Sequence, residues 1–167
     1  MNVAQEDLDV VKAQLGRVPR GTLAIAARCV CGNPTVVTTA PRLPDGTPFP
    51  TMYYLTHPGA VAAASTLEAV GTMRDLQALL SEDEEVAAEY LTAHERYLAD
   101  RYVIEDVPEI HGISAGGMPD RVKCLHALVG HSLAAGPGVN PIGDRALAMM
   151  AETWRPDRCA CDLPRSE

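Results

Sequence analysis

The reactive side chains of this chain are gathered unevenly. Between Ser114 and His126 the run Ser-Ala-Gly-Gly-Met-Pro-Asp-Arg-Val-Lys-Cys-Leu-His brings together a hydroxyl, two glycines, two cations, a thiol and an imidazole, and His131 follows five residues on. Pro119 suits the first position of a helix, where its missing N–H has no helical partner. The loop before it could then turn several N–H groups toward one point at a helix start, an arrangement that favours an anion. Ser114, Gly116, Gly117, Arg121 and Lys123 are the expected anion-binding set, with Asp120 competing for the same N–H groups. Ser114 lacks the Gly-x-Ser-x-Gly setting of an activated serine, and the glycine loop lacks the lysine placement of a phosphate-binding P-loop.

The thiols suggest metal or nucleophile chemistry. Five cysteines fall as Cys29-Val30-Cys31, Cys124 and Cys159-Ala160-Cys161. An odd number in a reducing compartment argues against a disulfide framework and leaves buried thiols or metal ligands. Cys29-Val30-Cys31-Gly32 sits where a hairpin turn is expected, as in a zinc knuckle, though one residue between cysteines is fewer than usual. Two apolar fillers at a strand end are the alternative. If Cys124 lies within a helix that starts near Pro119, His126 stands about 200° round from it and His131 about 10 Å further along. One ion could not then take two ligands from that helix. Cys124 or one of the histidines would have to be joined by His57 and Cys29 from the sheet side. A thiolate–imidazole pair at Cys124 is a further reading, against which burial would work.

Composition sets wide bounds. At 167 residues and 17.8 kDa, with 47% hydrophobic residues but a single Phe and a single Trp, the core must be built mainly from aliphatic side chains and alanine. The net charge of −8 opposes broad binding to nucleic acid or anionic lipid. Residues 17–42 hold four arginines and no acid, so a local patch could still take a small anion. No apolar run approaches the roughly 18 residues of a membrane span. The first sixteen residues do not read as a signal peptide, so a cytoplasmic protein is expected.

These side chains must be positioned by a short list of elements. Asp7 to Leu15 reads as a helix ended by Gly16, Thr22–Ala27 and Thr35–Thr39 as a hairpin, and Thr51–Thr56 as a third strand. A helix is expected from His57 to about Met73. A second is expected from a Ser81–Glu84 capping box to about Arg101, a third from Pro119 to about Ala134, and a fourth, capped by Asn140-Pro141, from Ile142 to about Glu152. Strands first and helices afterwards predict an α+β fold, a small three-stranded antiparallel sheet packed against a predominantly helical C-terminal part. The expected organisation is one domain over residues 1–155 and a short polar tail over 156–167.

Four blocks of the chain resemble the actinobacterial family catalogued as domain of unknown function 501. They are Pro41-Arg42-Leu43-Pro44-Asp45-Gly46-Thr47-Pro48-Phe49-Pro50-Thr51, Tyr53-Tyr54-Leu55-Thr56, Ser114 to His126, and Gly136-Pro137-Gly138-Val139-Asn140-Pro141-Ile142-Gly143-Asp144. The resemblance implies no activity. It implies that the position of Cys29 recurs, that Cys31 is replaceable, and that the position of His57 is often cysteine, an interchange that a zinc site tolerates. It thereby points to a metal site of Cys29, His57 and Cys124, with His126 or His131 contributing, and away from Cys159 and Cys161 as essential residues.

Three functions are compatible with these observations. The first is a small metal-binding protein with a structural zinc ion and a small anionic ligand or protein partner at the Arg121/Lys123 loop. The second is a metal- or cysteine-dependent enzyme acting on a small phosphorylated or carboxylated substrate, with Asp45 or Asp120 to hold an attacking water. The third is a metal-free scaffold for a protein partner.

Overall fold

The structure, a computed structural model, describes residues 2–165; the last two positions of the expected tail lie outside them. Helix α1 (Gln5–Leu15) ends at Gly16 in the left-handed conformation. Strands β1 (Thr22–Arg28), β2 (Pro34–Thr39) and β3 (Tyr53–Leu55) form an antiparallel sheet in the order β1-β2-β3. Val36 pairs with Leu55, Val37 with Tyr54 and Thr38 with Tyr53. Helices α2 (Pro58–Ala69), α3 (Thr72–Glu82), α4 (Glu84–Ile104), α5 (Leu125–Ala135) and α6 (Pro141–Met149) follow. The α+β expectation of a small three-stranded antiparallel sheet against a mostly helical region is what the chain adopts.

Helix α5 lies directly on β3. Gly130 makes this possible, since a Cβ there would sit 2.8 Å from the Tyr53 carbonyl oxygen. The core between sheet and helices gathers Met52, Leu55, Tyr90, Tyr97, Leu125, Leu128, Ile142 and Trp154. The Tyr97 hydroxyl accepts hydrogen bonds from the N–H groups of Met52 and Tyr53. The buried Arg101 guanidinium donates to the carbonyls of Pro50, Ile110 and Ile113, and so ties the proline-rich loop and the segment after α4 to one helix.

Several helix boundaries differ from the sequence reading, each for a local reason. The single helix expected from His57 to Met73 is divided at Gly71, which adopts φ 84 and restarts the chain as α3. Ser81 is consumed within α3, so the expected capping box does not form. Asp83 takes the extended conformation instead, and its Oδ1 accepts from the N–H groups of Glu85 and Val86 to cap α4. The helix expected from Pro119 begins only at Leu125. Before that point, the N–H groups of Lys123 and Cys124 go to the Gly116 carbonyl, and that of Leu125 goes to Glu68 Oε1 at 2.8 Å. Among the described residues, no helix is long and apolar enough to cross a membrane.

Two candidate metal centres and a glycine loop

The β1–β2 hairpin closes around Cys29-Val30-Cys31-Gly32. Cys29 N–H donates to the Asn33 carbonyl at 2.8 Å, Gly32 N–H donates to the Cys29 carbonyl at 2.8 Å, and Gly32 adopts φ 93. This tight turn aims both thiols to one side. The segment after α6 returns across it, with Val30 N–H donating to the Pro156 carbonyl and Asn33 Nδ2 to the Leu163 carbonyl. Arg165 reaches Asp7 on α1, which also holds Arg28. These contacts bring Cys159 and Cys161 onto the hairpin. The sulfurs of Cys29, Cys31, Cys159 and Cys161 all lie within 4.8 Å of one another, a set able to coordinate a metal.

The electrostatics of the four thiols are shared. Burial opposes ionisation of Cys31, but the backbone N–H groups of Asn33 and Arg165 and the Cys161 and Cys159 thiols outweigh it, and its pKa falls to about 6. Burial pushes Cys29 up and Cys161 up to about 12. Without a cation the Cys31 thiolate is favoured while Cys29 and Cys161 stay protonated, as expected where like charges would crowd.

His57 stands just outside this group. Its Nδ1 accepts from Gly59 N–H at 3.0 Å and caps α2, and its Nε2 lies 3.3 Å from Cys161 Sγ. Burial holds the imidazole below its ordinary pKa. The cap therefore fixes the tautomer, with the proton on Nε2 facing sulfur. Trp154 packs over the ring at 5.4 Å between centroids.

A second group of donors forms toward the C-terminal end of α2. Glu68 on α2, Cys124 at the cap of α5 and His126 in its first turn have donor atoms within 4.8 Å of one another. His126 Nδ1 is 3.0 Å from Glu68 Oε1, and its Nε2 is 3.0 Å from Ser65 Oγ and 3.2 Å from the Val61 carbonyl. The hydrogen bond with Cys124 and the Glu68 charge raise His126 to about 9, against the effect of burial. Burial resists ionisation of Cys124, but His126 and the Ala127 N–H reverse the balance and lower its pKa.

Among the described residues, Cys29, His57 and Cys124 thus do not converge as one set of donors. Cys29 joins the other paired cysteines, His57 approaches Cys161, and Cys124 joins His126. The geometric objection to Cys124 and His126 sharing an ion disappears because Cys124 is extended, with φ −149, rather than helical. His131 belongs to neither group. It is fully buried, stacked on Tyr53 and edge-on to Tyr97, with Nδ1 accepting from Asn140 Nδ2 at 3.1 Å. Burial lowers its pKa to about 4. Asn140 spends Oδ1 on capping α6, which turns its amide nitrogen toward the ring.

The glycine loop is packed rather than open at a helix start. Ser114 is buried and its Oγ meets His94 Nδ1 at 2.7 Å. His94 is itself buried. Gly116 and Gly117 have φ 66 and 96, and added Cβ atoms would meet Leu128 at 2.6 Å and the Arg121 carbonyl oxygen at 2.8 Å. Arg121 and Lys123 spend their N–H groups on the Gly117 and Gly116 carbonyls, while both residues remain exposed. The N–H groups of a helix start at Pro119, on which the anion argument relied, are absent.

Sequence reasoning set Cys159 and Cys161 aside on the strength of the resemblance, and it missed Glu68. The first two carried a signal, since Cys-Ala-Cys repeats the spacing of Cys-Val-Cys and two such halves make a four-thiol set. Glu68 carried none, being one acid on an alanine-rich helix.

Residues 25–148 match the family described as Protein of unknown function (DUF501), and at that coverage the chain belongs to it. The match spans Glu68, Cys124 and His126 but only the hairpin half of the four-cysteine group. No curated protein and no solved structure matches the chain.

Proposed function

We propose that this DUF501 protein binds one structural zinc ion through Cys29, Cys31, Cys159 and Cys161, and that the ion ties the segment after α6 to the β1–β2 hairpin. The observation that carries this reading is the convergence of the four sulfurs within 4.8 Å of one another. Zinc–sulfur bonds of about 2.3 Å in a tetrahedron place sulfurs about 3.8 Å apart. Cys31 and Cys161 already stand at 3.6 Å, far beyond a bonded pair at about 2.05 Å. Four protein ligands fill a tetrahedral ion and leave no position for substrate, which is the pattern of a structural site. His57 Nε2–H and the backbone N–H groups beside Cys31 supply the donors that thiolate ligands require.

The ion replaces a missing core. Neither the hairpin turn nor the segment after Pro156 contributes a residue to the main core cluster, and Cys159 is exposed. Metal coordination can hold such a segment where burial cannot. A reducing cytoplasm, which keeps thiols available, is the fitting compartment.

Elemental analysis of protein purified without added metal tests the proposal. The wild type should carry zinc, and Cys159→Ser and Cys161→Ser should each lose about one equivalent relative to it while retaining helical circular dichroism. Unchanged zinc content in both folded variants would falsify the four-cysteine site.

A further inference from the structure

We propose that Glu68, Cys124 and His126 form a second metal centre of a different kind, a three-ligand site whose open position faces the groove beside β3 and takes a small anion. It is independent of the four-cysteine site in residues and in chemistry.

Three elements build it. Glu68 projects from the last turn of α2, Cys124 from the extended residue that precedes α5, and His126 from the first turn of α5. Their donor atoms lie within 4.8 Å of one another. The outer contacts are those a ligating histidine and carboxylate need. The Val61 carbonyl has no proton to give, so its 3.2 Å contact places a proton on His126 Nε2. Nδ1 is then the atom that faces Glu68 Oε1 at 3.0 Å. A proton can fill that short gap, and so can a metal ion, which means that the two compete for one place. Leu125 N–H holds Glu68 Oε1 at 2.8 Å and fixes the carboxylate on the same side.

The donor set selects the ion and the ion selects its ligand. One thiolate, one imidazole and one carboxylate suit a borderline divalent cation such as Zn²⁺, and three protein ligands leave a fourth position for water or an anion. Cys124 and His126 also line a groove of about 590 Å³, together with Tyr53, Tyr54, Thr56 and Val61. That volume suits a small organic molecule. No aspartate, glutamate, lysine or arginine lines the groove. With the thiolate and carboxylate ionised and His126 neutral, the divalent site is neutral overall, so an anion entering the groove would be held by the open coordination position of the metal rather than by net charge.

Cobalt loading of the demetallated full-length protein, with azide as the probe anion, tests this. Wild type should take up two equivalents, and azide should shift the visible cobalt bands. Cys161→Ser should keep the azide response. Cys124→Ser and His126→Gln should each bind one equivalent fewer than wild type and lose the response. Two variants guard against one that fails to fold. Unchanged uptake in folded Cys124→Ser and His126→Gln overturns the second site, as does a cobalt spectrum indifferent to azide. One equivalent in wild type that vanishes in Cys161→Ser refutes this site and leaves the four-cysteine reading standing. One equivalent that survives in Cys161→Ser and vanishes in Cys124→Ser supports this site and removes the other.

Discussion

His57 Nε2 lies 3.3 Å from Cys161 Sγ, across 104 residues of sequence, while Nδ1 of the same ring caps α2. One side chain thus orders a helix start and offers its remaining proton to a sulfur. Asparagine can reproduce the cap but is too short to reach the sulfur as well. His57→Asn should therefore keep most of the stability yet weaken zinc binding about 10- to 100-fold, the range for loss of an outer partner of a ligand. Chelator competition measures it, and wild-type affinity in a folded variant would remove His57 from the site.

Gly59 tests how closely Trp154 and His57 are packed. A Cβ at this position would meet Trp154 Cδ1 at 2.8 Å and His57 Cε1 at 3.2 Å. Alanine in a helix ordinarily gains about 0.5–1 kcal/mol over glycine. Overpacking a buried ring costs about 1–3 kcal/mol, so the clash should win. Gly59→Ala is expected to lower the melting temperature; an equal or higher one would show that the tilted His57 and Trp154 rings yield freely.

Arg101 is held by three carbonyls and no carboxylate among the described residues. Arg101→Met should destabilise by about 3 kcal/mol or more, since it strands buried acceptors and removes charge-assisted bonds. Lysine cannot reproduce the planar fork and should rescue little. Urea denaturation gives the answer, and a loss below about 1 kcal/mol would mean that water replaces the guanidinium.

Asp7 should make stability depend on acid. The hydrogen bond from Arg28 holds its carboxyl below the ordinary range, against burial and with help from Arg165. Unfolded, the group titrates near about 3.9. Because the folded value is lower, the stability it adds is fully present above about pH 3.9 and is lost as pH falls through the folded value. The stability gap between wild type and Asp7→Asn should be widest near neutrality and narrow below about pH 4. A gap that stays constant into that range would contradict the ion pair.

Removing the metal should free the returning segment. Arg158 immediately precedes Cys159, whereas Arg155 is followed by Pro156 and is no trypsin site. Chelated protein is expected to be cut at Arg158 by trypsin well before the helical part, and zinc should restore resistance. Equal cleavage with and without chelator would argue that packing alone holds the segment.

The sequence determined what local chemistry determines. Gly16, Gly32 and the strand residues Thr35–Thr39 announced a helix end, a hairpin turn and a strand, because positive φ and β-branched side chains act over a few bonds. Cys29 and Cys31 were visible as a pair for the same reason. Their partners were not, since Cys31 and Cys161 are 130 residues apart and spacing at that range carries no register. Only the tertiary fold decided that contact. It also decided the start of α5, where the Gly116 carbonyl holds the N–H groups of Lys123 and Cys124, Glu68 holds that of Leu125, and Cys124 is left extended. Helical periodicity alone had set Cys124 and His126 on opposite sides, and two distant acceptors turned them toward each other.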